Sequence, residues 1–389
     1  MKYHLALNTT SDVESFVSKT KSGKFPGHVM WEISQTLKAK IYQPINPEVL
    51  PRDRKLSKII GSPECWALAR QLSEKLDDND VIYCDGEHLG IPIASLCSKK
   101  QKRPKIAVLF HNINRPKGYV ALNAFQIESS IDLFVTGTNS QTKFLRRYLN
   151  LPKHRVFQIP SHPSTDTSFF IPKPVSREKV RPLIASGGLE KRDYKTLANA
   201  INDLKVDVKI CAFSPNKTAS KRTFPAIMPK NMYCGFYEWE DLVQLYCDAD
   251  LVVLPLLNNN YQAGLSTLFE AMACRRPVIV TRSPKAGIIN NLIDSGIVTG
   301  VSSGNSAQLK QAIQNLLHSP EQADKQAQLG YEFVCKYHNH NQYIQDLTTK
   351  FVSTFGNIDN HQVLIKENIQ DLQTFSYTKS ALDSQQTIF

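Results

Sequence analysis

A chain of 389 residues is too long for one small core and predicts two domains. Its 41% hydrophobic and 21% charged residues are typical of a soluble globular protein, and no apolar run approaches the roughly 20 residues that span a bilayer, which excludes a transmembrane protein. The formal net charge is +12, and residues 1–172 carry most of it, with 24 Lys and Arg against 15 Asp and Glu. That half can attract an anionic membrane, an anionic substrate or nucleic acid, or the charge can serve solubility alone.

The N-terminus, residues 1–8, is too short and too polar for a secretion signal, which predicts a cytoplasmic protein. The eight cysteines form no CxxC pair, and most of them fall in apolar stretches. This distribution favours reduced core residues over disulfides or a zinc site.

Short apolar runs alternate with helical patterns along the whole chain. Continuous apolar strands separated by helices are typical of parallel sheets that are covered on both faces. The sequence therefore predicts an α/β protein with two Rossmann-like domains. The clearest predicted strands are 81–84, 106–110, 133–136, 182–185, 208–211, 251–254 and 278–281.

The segment 161–181 is turn-rich and holds Pro163, Pro172 and Pro174, so we place the domain boundary there. We predict a first domain at 1–165, a second at 175–335, and C-terminal helices with a polar tail at 336–389. The helical patterns near 309–317, 329–333 and 343–351 predict helices, and we expect the C-terminal helices to cross back to the first domain.

A loop and helix start between two apolar strands is the most informative motif. Gly264 precedes a helical pattern, so unpaired N–H groups and a partial positive charge are available there for an anion. Ser266 and Thr267 add hydroxyl groups, and Glu270 lies one turn further on, where it could accept bonds from a sugar's vicinal hydroxyls. The pattern fits a nucleotide, although a strand, a glycine and a helix with a solvated glutamate would look the same.

Three ordered segments, 182–197, 246–255 and 264–281, resemble the C-terminal domain of bacterial family 4 glycosyltransferases. These are retaining enzymes of the GT-B fold, in which two Rossmann-like domains face each other across a cleft. The similarity covers residues 155–350, and it covers the first half only through 166–170 and His111.

The resemblance implies roles for the matched positions. Glu270 would hold the donor's ribose as the second glutamate of an E-x7-E motif, and Lys191 or Arg192 would neutralise the leaving diphosphate. His111, at the end of a predicted strand, would touch the transferred sugar or the acceptor. The further positions implied in donor binding are Gln262, Gly264, Leu265, Ser266, Thr267, Gly188, Phe236, Tyr237 and Gly27.

The sequence departs from the family at three positions. Gln262 stands where the first glutamate of the motif is expected, and Arg275 stands where a glycine is usual. The family's Gly-Arg-Leu turn reads Gly188-Leu189 here, so one arginine is missing. These departures leave two alternatives open, an active enzyme and a sugar-nucleotide-binding protein that has lost catalysis.

We therefore predict a retaining glycosyltransferase that moves a hexose from a nucleotide-diphosphate sugar to a glycan, lipid or small molecule. No pair of carboxylates stands out as acid and nucleophile, and residues 85–90 could line the acceptor side. The helix start and one guanidinium stabilise the leaving group, so no metal and no cofactor are expected. The segment 141–151 joins Lys143, Arg146 and Arg147 to apolar residues, which indicates an anionic membrane surface as a partner, whereas no nucleic-acid module is present.

Overall fold

The computed structural model describes residues 1–9, 12–176, 178–212, 222–258, 263–283 and 287–356. The chain divides into two compact units. The first comprises Met1–Lys21, Gly27–His162 and the chain from Asn341, and the second comprises Ser22–Pro26 and Pro163–His340. The polar tail expected at the C-terminus lies outside the described residues.

Each unit contains one six-stranded sheet, and every strand pair is parallel. The first sheet has the order β2-β1-β3-β4-β5-β6, and the second has the order β12-β11-β10-β7-β8-β9. The predicted pair of Rossmann-like sheets is confirmed. The strands are β1 Lys2–Ala6, β2 Lys40–Tyr42, β3 Asp80–Cys84, β4 Lys105–Phe110, β5 Leu133–Thr136, β6 Val156–Gln158, β7 Leu183–Gly187, β8 Asp207–Cys211, β9 Met232–Gly235, β10 Leu251–Leu254, β11 Val278–Arg282 and β12 Thr299–Ser302.

Helices cover the sheets, and several begin with a side-chain cap such as Ser62, Thr138 or Asp193. Within the described part of the chain, no helix is both long and apolar enough to cross a membrane. The described helices are α1 Val13–Lys21, α2 Val29–Thr36, α3 Pro51–Leu56, α4 Pro63–Lys75, α5 Glu87–Cys97, α6 Pro116–Phe125, α7 Asn139–Tyr148, α8 Tyr194–Ile201, α9 Trp239–Asp248, α10 Leu265–Ala273, α11 Gly287–Asp294, α12 Ser306–His318, α13 Pro320–Tyr337 and α14 His340–Phe355.

Burial on both faces explains why the strands read as continuous apolar runs. In β4, Ile106, Val108 and Phe110 join one core of the first unit, while Ala107 and Leu109 join the core on the opposite face. The same division runs through β10, whose alternate residues enter the two cores of the second unit. Successive side chains of a strand point to opposite faces, so a two-sided sheet requires apolar residues at every position.

The expected return of a C-terminal helix to the first unit is confirmed. Phe351 of α14 packs against Tyr83 of β3 with ring centroids 4.9 Å apart, and the Tyr3 hydroxyl donates to the Gly356 carbonyl at 3.0 Å. The chain segment that leaves Pro163 and the one that precedes α14 are paired by a parallel bridge between Thr165 and Asn339.

The N-terminal residues, considered above only as a possible secretion signal, form β1, which lies between β2 and β3 in the first sheet. Its polar positions Lys2 and His4 obscured the strand pattern in the sequence. His4 is mostly buried and lies 2.9 Å from the Asp80 carboxylate at the start of β3. All eight cysteines are free, and five of them are buried.

Arg275 occupies the position that follows the C-cap of α10, and its φ is +53°. The N–H of Arg275 bonds to the Met272 carbonyl at 2.9 Å and that of Arg276 to the Ala271 carbonyl at 3.1 Å, which is the Schellman pattern. Glycine is usual in this left-handed position because it has no Cβ, so the structure explains the family's preference. The guanidinium of Arg275 donates a hydrogen bond to the Asp324 carboxylate on the protein surface.

We predict that Arg275→Gly is more stable than Arg275→Ala by about 1 kcal/mol. Both substitutions remove the exposed ion pair with Asp324, but only glycine relieves the left-handed backbone. Urea unfolding followed by circular dichroism measures the difference between the two midpoints. Equal midpoints, or a more stable alanine variant, would contradict this account.

Candidate functional site

The strand order of the second sheet reverses between β7 and β10. These two strands are neighbours in the sheet, although β8 and β9 lie between them along the chain. In open parallel sheets the carboxyl ends of the strands beside such a reversal leave a crevice that binds ligands. The predicted motif residues follow these two strands, because Gly188 comes after β7 and Gly264 comes between β10 and α10.

Backbone hydrogen bonds join the two loops at this edge of the sheet. The N–H of Asp193 donates to the Pro255 carbonyl at 2.8 Å, and the N–H of Leu257 donates to the Lys191 carbonyl at 2.8 Å. Lys191 has a left-handed backbone with φ of +57° and an exposed side chain. The loop after β7 is thus held across the end of β10.

The Arg192 guanidinium is buried, with only 4% of the residue exposed. Its Nε donates to the Gly187 carbonyl at 2.7 Å, Nη1 donates to the Glu190 carbonyl at 2.9 Å, and Nη2 donates to Thr267 Oγ1 at 3.2 Å. Three of its five N–H groups are used in this way. Among the described residues, no carboxylate forms an ion pair with it.

Gly188 is required where it stands. Its φ is +82°, and a Cβ built on it would lie 2.7 Å from Arg192 Nη2. Gly264 has φ of +87°, and a Cβ there would lie 3.4 Å from Arg192 Nη1. The guanidinium therefore lies between the two predicted glycines.

Helix α10 begins directly beside this guanidinium. Its N-cap is Gly264, which has no side chain to bond the amides of the first turn. The N–H groups of Leu265, Ser266 and Thr267 precede the first intrahelical bond, which Leu268 makes to the Gly264 carbonyl at 3.0 Å. The Thr267 hydroxyl accepts from Arg192, whereas Ser266 is exposed.

Glu270 is partly buried on the next turn of α10. The hydroxyl of the fully buried Tyr246 donates to Glu270 Oε2 at 3.2 Å. Burial raises the pKa of Glu270 to about 7, although the bond from Tyr246 and the charge of Arg192 act to lower it. Tyr246 was not predicted as a site residue, because in the sequence it is one of several apolar positions of a helix.

Other predicted donor-binding residues are not in this cluster. Phe236 and Tyr237 follow β9 at the edge of the sheet, where Phe236 is 64% exposed and Tyr237 packs against the apolar core. Gln262 lies outside the described residues. Gly27 belongs to the first unit, directly before the N-cap of α2.

His111 lies in the first unit, at the carboxyl end of β4 as expected. Its Nε2 donates to the Asp85 carbonyl at 2.8 Å, which places a proton on that nitrogen. The buried Glu87 carboxylate holds the loop by accepting the N–H groups of His111 at 2.9 Å and Asn112 at 3.0 Å. Glu87 is therefore a brace for the loop, and it does not line an open surface.

Asp85 follows β3, on the strand beside β4, and its Oδ1 accepts the N–H of Asn8 at 2.7 Å. Burial raises the pKa of Asp85 to about 6, against that bond and the nearby His111. The ring of His162 lies 6.3 Å from that of His111, over Gly137. Among the described residues no group of three or more His, Cys, Asp and Glu is placed to hold a metal ion.

Comparison with solved structures defines the class of fold. The chain shares the two-domain GT-B fold with HepE of Anabaena, at a TM-score of 0.64 and 14% identity over 91% of this chain and 100% of that one. Sucrose-phosphate synthase of Thermosynechococcus elongatus gives 0.65 and 14% over 91% and 99%. The α,α-trehalose-phosphate synthase (UDP-forming) of Burkholderia vietnamiensis gives 0.63 and 13% over 90% and 98%.

Comparison with protein-family models gives a more specific match for the second unit. Residues 181–319 match the model of the family described as glycosyl transferases group 1. This match contains Gly188, Arg192, Gly264, Thr267 and Glu270. No curated protein matches the chain significantly.

Proposed function

We propose that this protein is a retaining glycosyltransferase that moves a hexose from a nucleotide-diphosphate sugar to an acceptor. The buried Arg192 guanidinium, which has no carboxylate partner among the described residues and lies beside the uncapped start of α10, carries this proposal. The match of residues 181–319 to the group 1 glycosyl transferases supports it.

Burying a guanidinium without a counter-anion costs several kcal/mol. Carbonyl groups and the Thr267 hydroxyl offset part of this cost, but they bring no negative charge. A diphosphate would supply that charge, and the first-turn amides of α10 would bind its oxygens from the other side. The site is therefore suited to an anion before any ligand arrives.

Glu270 suits the ribose of the same nucleotide. Its ionised carboxylate can accept hydrogen bonds from two vicinal hydroxyls, and the Tyr246 hydroxyl orients it. About one and a half turns of α10 separate Glu270 from the helix start, so the helix would hold both parts of the donor. We assign Phe236 and Tyr237 to the nucleobase because they follow the edge strand β9.

In the proposed reaction the bond between the anomeric carbon and the diphosphate oxygen breaks, and the acceptor oxygen bonds to that carbon on the same face. The acceptor proton passes to the departing phosphate oxygen. Arg192 and the amides of α10 stabilise the charge that develops on the diphosphate. We assign His111 and Asp85 of the first unit to hydroxyl groups of the transferred sugar or the acceptor.

The structural neighbours suggest the first donor to test. HepE has been solved with UDP and glucose and with UDP-glucose, and the trehalose-phosphate synthase is described as UDP-forming. A sugar-nucleotide-binding protein without catalysis is the alternative. Arg275 is one of the departures that suggested this alternative, but it lies at the far end of α10 from Gly264, about 16 Å along the helix axis, so it gives the alternative no support.

We expect UDP-glucose, or another member of a UDP-, GDP- and ADP-glucose panel, to raise the melting temperature by roughly 5–10 °C at a hundredfold excess over Kd. Gly188→Ala should abolish this shift because its Cβ would displace the Arg192 guanidinium. Gly304→Ala is the matched control, since Gly304 also has a left-handed φ, of +72°, but a Cβ there meets nothing within 4 Å. No shift with any donor, or equal loss in both variants, would count against the site.

Arg192→Ala should lower the rate of sugar transfer about ten- to a hundredfold or more, because a charge-assisted hydrogen bond contributes about 1.5–3 kcal/mol. Arg192→Lys keeps the charge but loses the planar fork, and we expect an intermediate rate. Transfer and donor hydrolysis are measured by release of the nucleotide diphosphate. A change below about threefold for alanine would refute the role, and donor binding without turnover in the wild type would favour the non-catalytic alternative.

The affinity for UDP-glucose should rise about tenfold between pH 6 and pH 8. The donor's hydroxyls require ionised Glu270, whose pKa of about 7 leaves most of the carboxyl protonated at the lower pH. The diphosphate diester stays ionised over this range, so titration of the ligand does not contribute. Isothermal titration calorimetry measures the profile, and Glu270→Gln should bind weakly with a flat profile. A wild-type profile as flat as that of the variant would disprove this assignment.

A further inference from the structure

We propose that helices α6 and α7 of the first unit form a surface that docks on an anionic phospholipid membrane. The proposal goes beyond the transfer reaction and does not depend on it. We call this patch the basic–aromatic surface. It consists of Lys117, Tyr119, Val120, Lys143, Phe144, Arg146, Arg147 and Tyr148.

Positive charge is concentrated in this part of the sequence. Between residues 88 and 165 the chain has twelve Lys and Arg and two acidic residues, Glu128 and Asp132. Asp132 is already paired, because both of its carboxylate oxygens accept from Arg103 at 2.7 and 3.2 Å. The segment therefore has a net charge of about +10, which is most of the protein's formal net charge of +12.

The cations of the surface have no counter-charge of their own. In the described structure the side chains of Lys117, Lys143, Arg146 and Arg147 form no ion pair or hydrogen bond, and all four residues are exposed. Two cations of the second unit show the contrasting arrangement, since Arg282 pairs with Asp294 and Lys310 with Asp203. An unbalanced cluster of this kind is attracted to an anionic surface.

Three aromatic rings link the two helices in the middle of the charges. Phe144 and Tyr148 are stacked with centroids 5.3 Å apart, and Tyr119 of α6 meets each of them edge-on at 5.0 Å. Val120 beside them is 55% exposed, and Tyr119 and Tyr148 are more than a third exposed. Tyrosine at the rim of an apolar patch suits a membrane interface, where the ring enters the headgroup region and the hydroxyl stays wet.

The arrangement favours a membrane over a nucleic acid. Single-stranded nucleic acids stack their bases on aromatic faces that are open. Here the rings pack on one another, and the Tyr148 hydroxyl donates to Asn123 Oδ1 at 2.7 Å. The most exposed apolar residue of the basic–aromatic surface is the aliphatic Val120, which contributes to burial in lipid but offers no stacking surface.

Flotation of the full chain with vesicles tests the proposal. The wild type should bind phosphatidylglycerol-containing vesicles, should not bind pure phosphatidylcholine vesicles, and should dissociate as salt is raised. The triple variant Lys143→Ser, Arg146→Ser, Arg147→Ser should bind at least tenfold more weakly. Its control is Lys205→Ser, Lys230→Ser, Lys325→Ser, which removes the same charge from exposed positions of the second unit and should bind as the wild type does.

A second pair separates apolar contact from charge alone. Val120→Asp should weaken binding at least fivefold, whereas Val180→Asp introduces the same charge at a fully exposed valine and should change binding less than twofold. The melting-temperature shift with the donor should persist in every one of these variants, so a failure of membrane binding is distinguishable from a failure of the proposed transferase. The proposal is overturned if the wild type binds neither vesicle, if each variant matches its control, or if RNA competes for the surface with higher affinity than the vesicles.

Discussion

A single buried cation constrains the architecture of the second unit. Removing a guanidinium from water costs several kcal/mol unless a negative charge accompanies it. The structure surrounds Arg192 with two carbonyl groups and a hydroxyl, which orient it, and no carboxylate of the described residues forms an ion pair with it. In the proposed function this group is a preorganised anion site, because the free-energy cost of burying it is incurred during folding and not when a ligand binds.

The neighbouring backbone is built to keep that guanidinium in position. The loop after β7 must turn sharply to bring Arg192 back over the sheet edge, and Gly188 and Lys191 both adopt a left-handed φ to do so. Bonds from this loop to Pro255 and Leu257 then fix it beside the residues that lead into α10. Because parallel strands bury both faces, the carboxyl edge is the place where polar backbone can converge without disrupting the cores.

Much of this arrangement follows from local sequence patterns. Two-sided burial makes strands such as β4 and β10 apolar throughout, and the motif from Gly264 to Glu270 marks a helix start, so fold class and part of the site were predictable. The rest depends on contacts between distant residues. Tyr246 contacts Glu270 only in the folded second unit, where α9 and α10 contribute to one core. The strand pattern of β1 is interrupted by polar residues such as His4, which contacts Asp80 of β3. Arg275 differs from the family pattern for no evident reason until its left-handed backbone is known.

The formal net charge counts every lysine and arginine equally, so it does not distinguish buried cations from exposed ones. Arg192 is buried, so salt screens its charge little, and in the proposed function it attracts one anion over a few ångströms. Lys143, Arg146 and Arg147 are exposed, so their attraction extends about one Debye length, roughly 8 Å at physiological salt, and weakens as salt is raised. The net charge of +12 therefore combines cations in two different environments, for which we propose two kinds of recognition, one of a ligand and one of a surface, and the burial of each side chain distinguishes them.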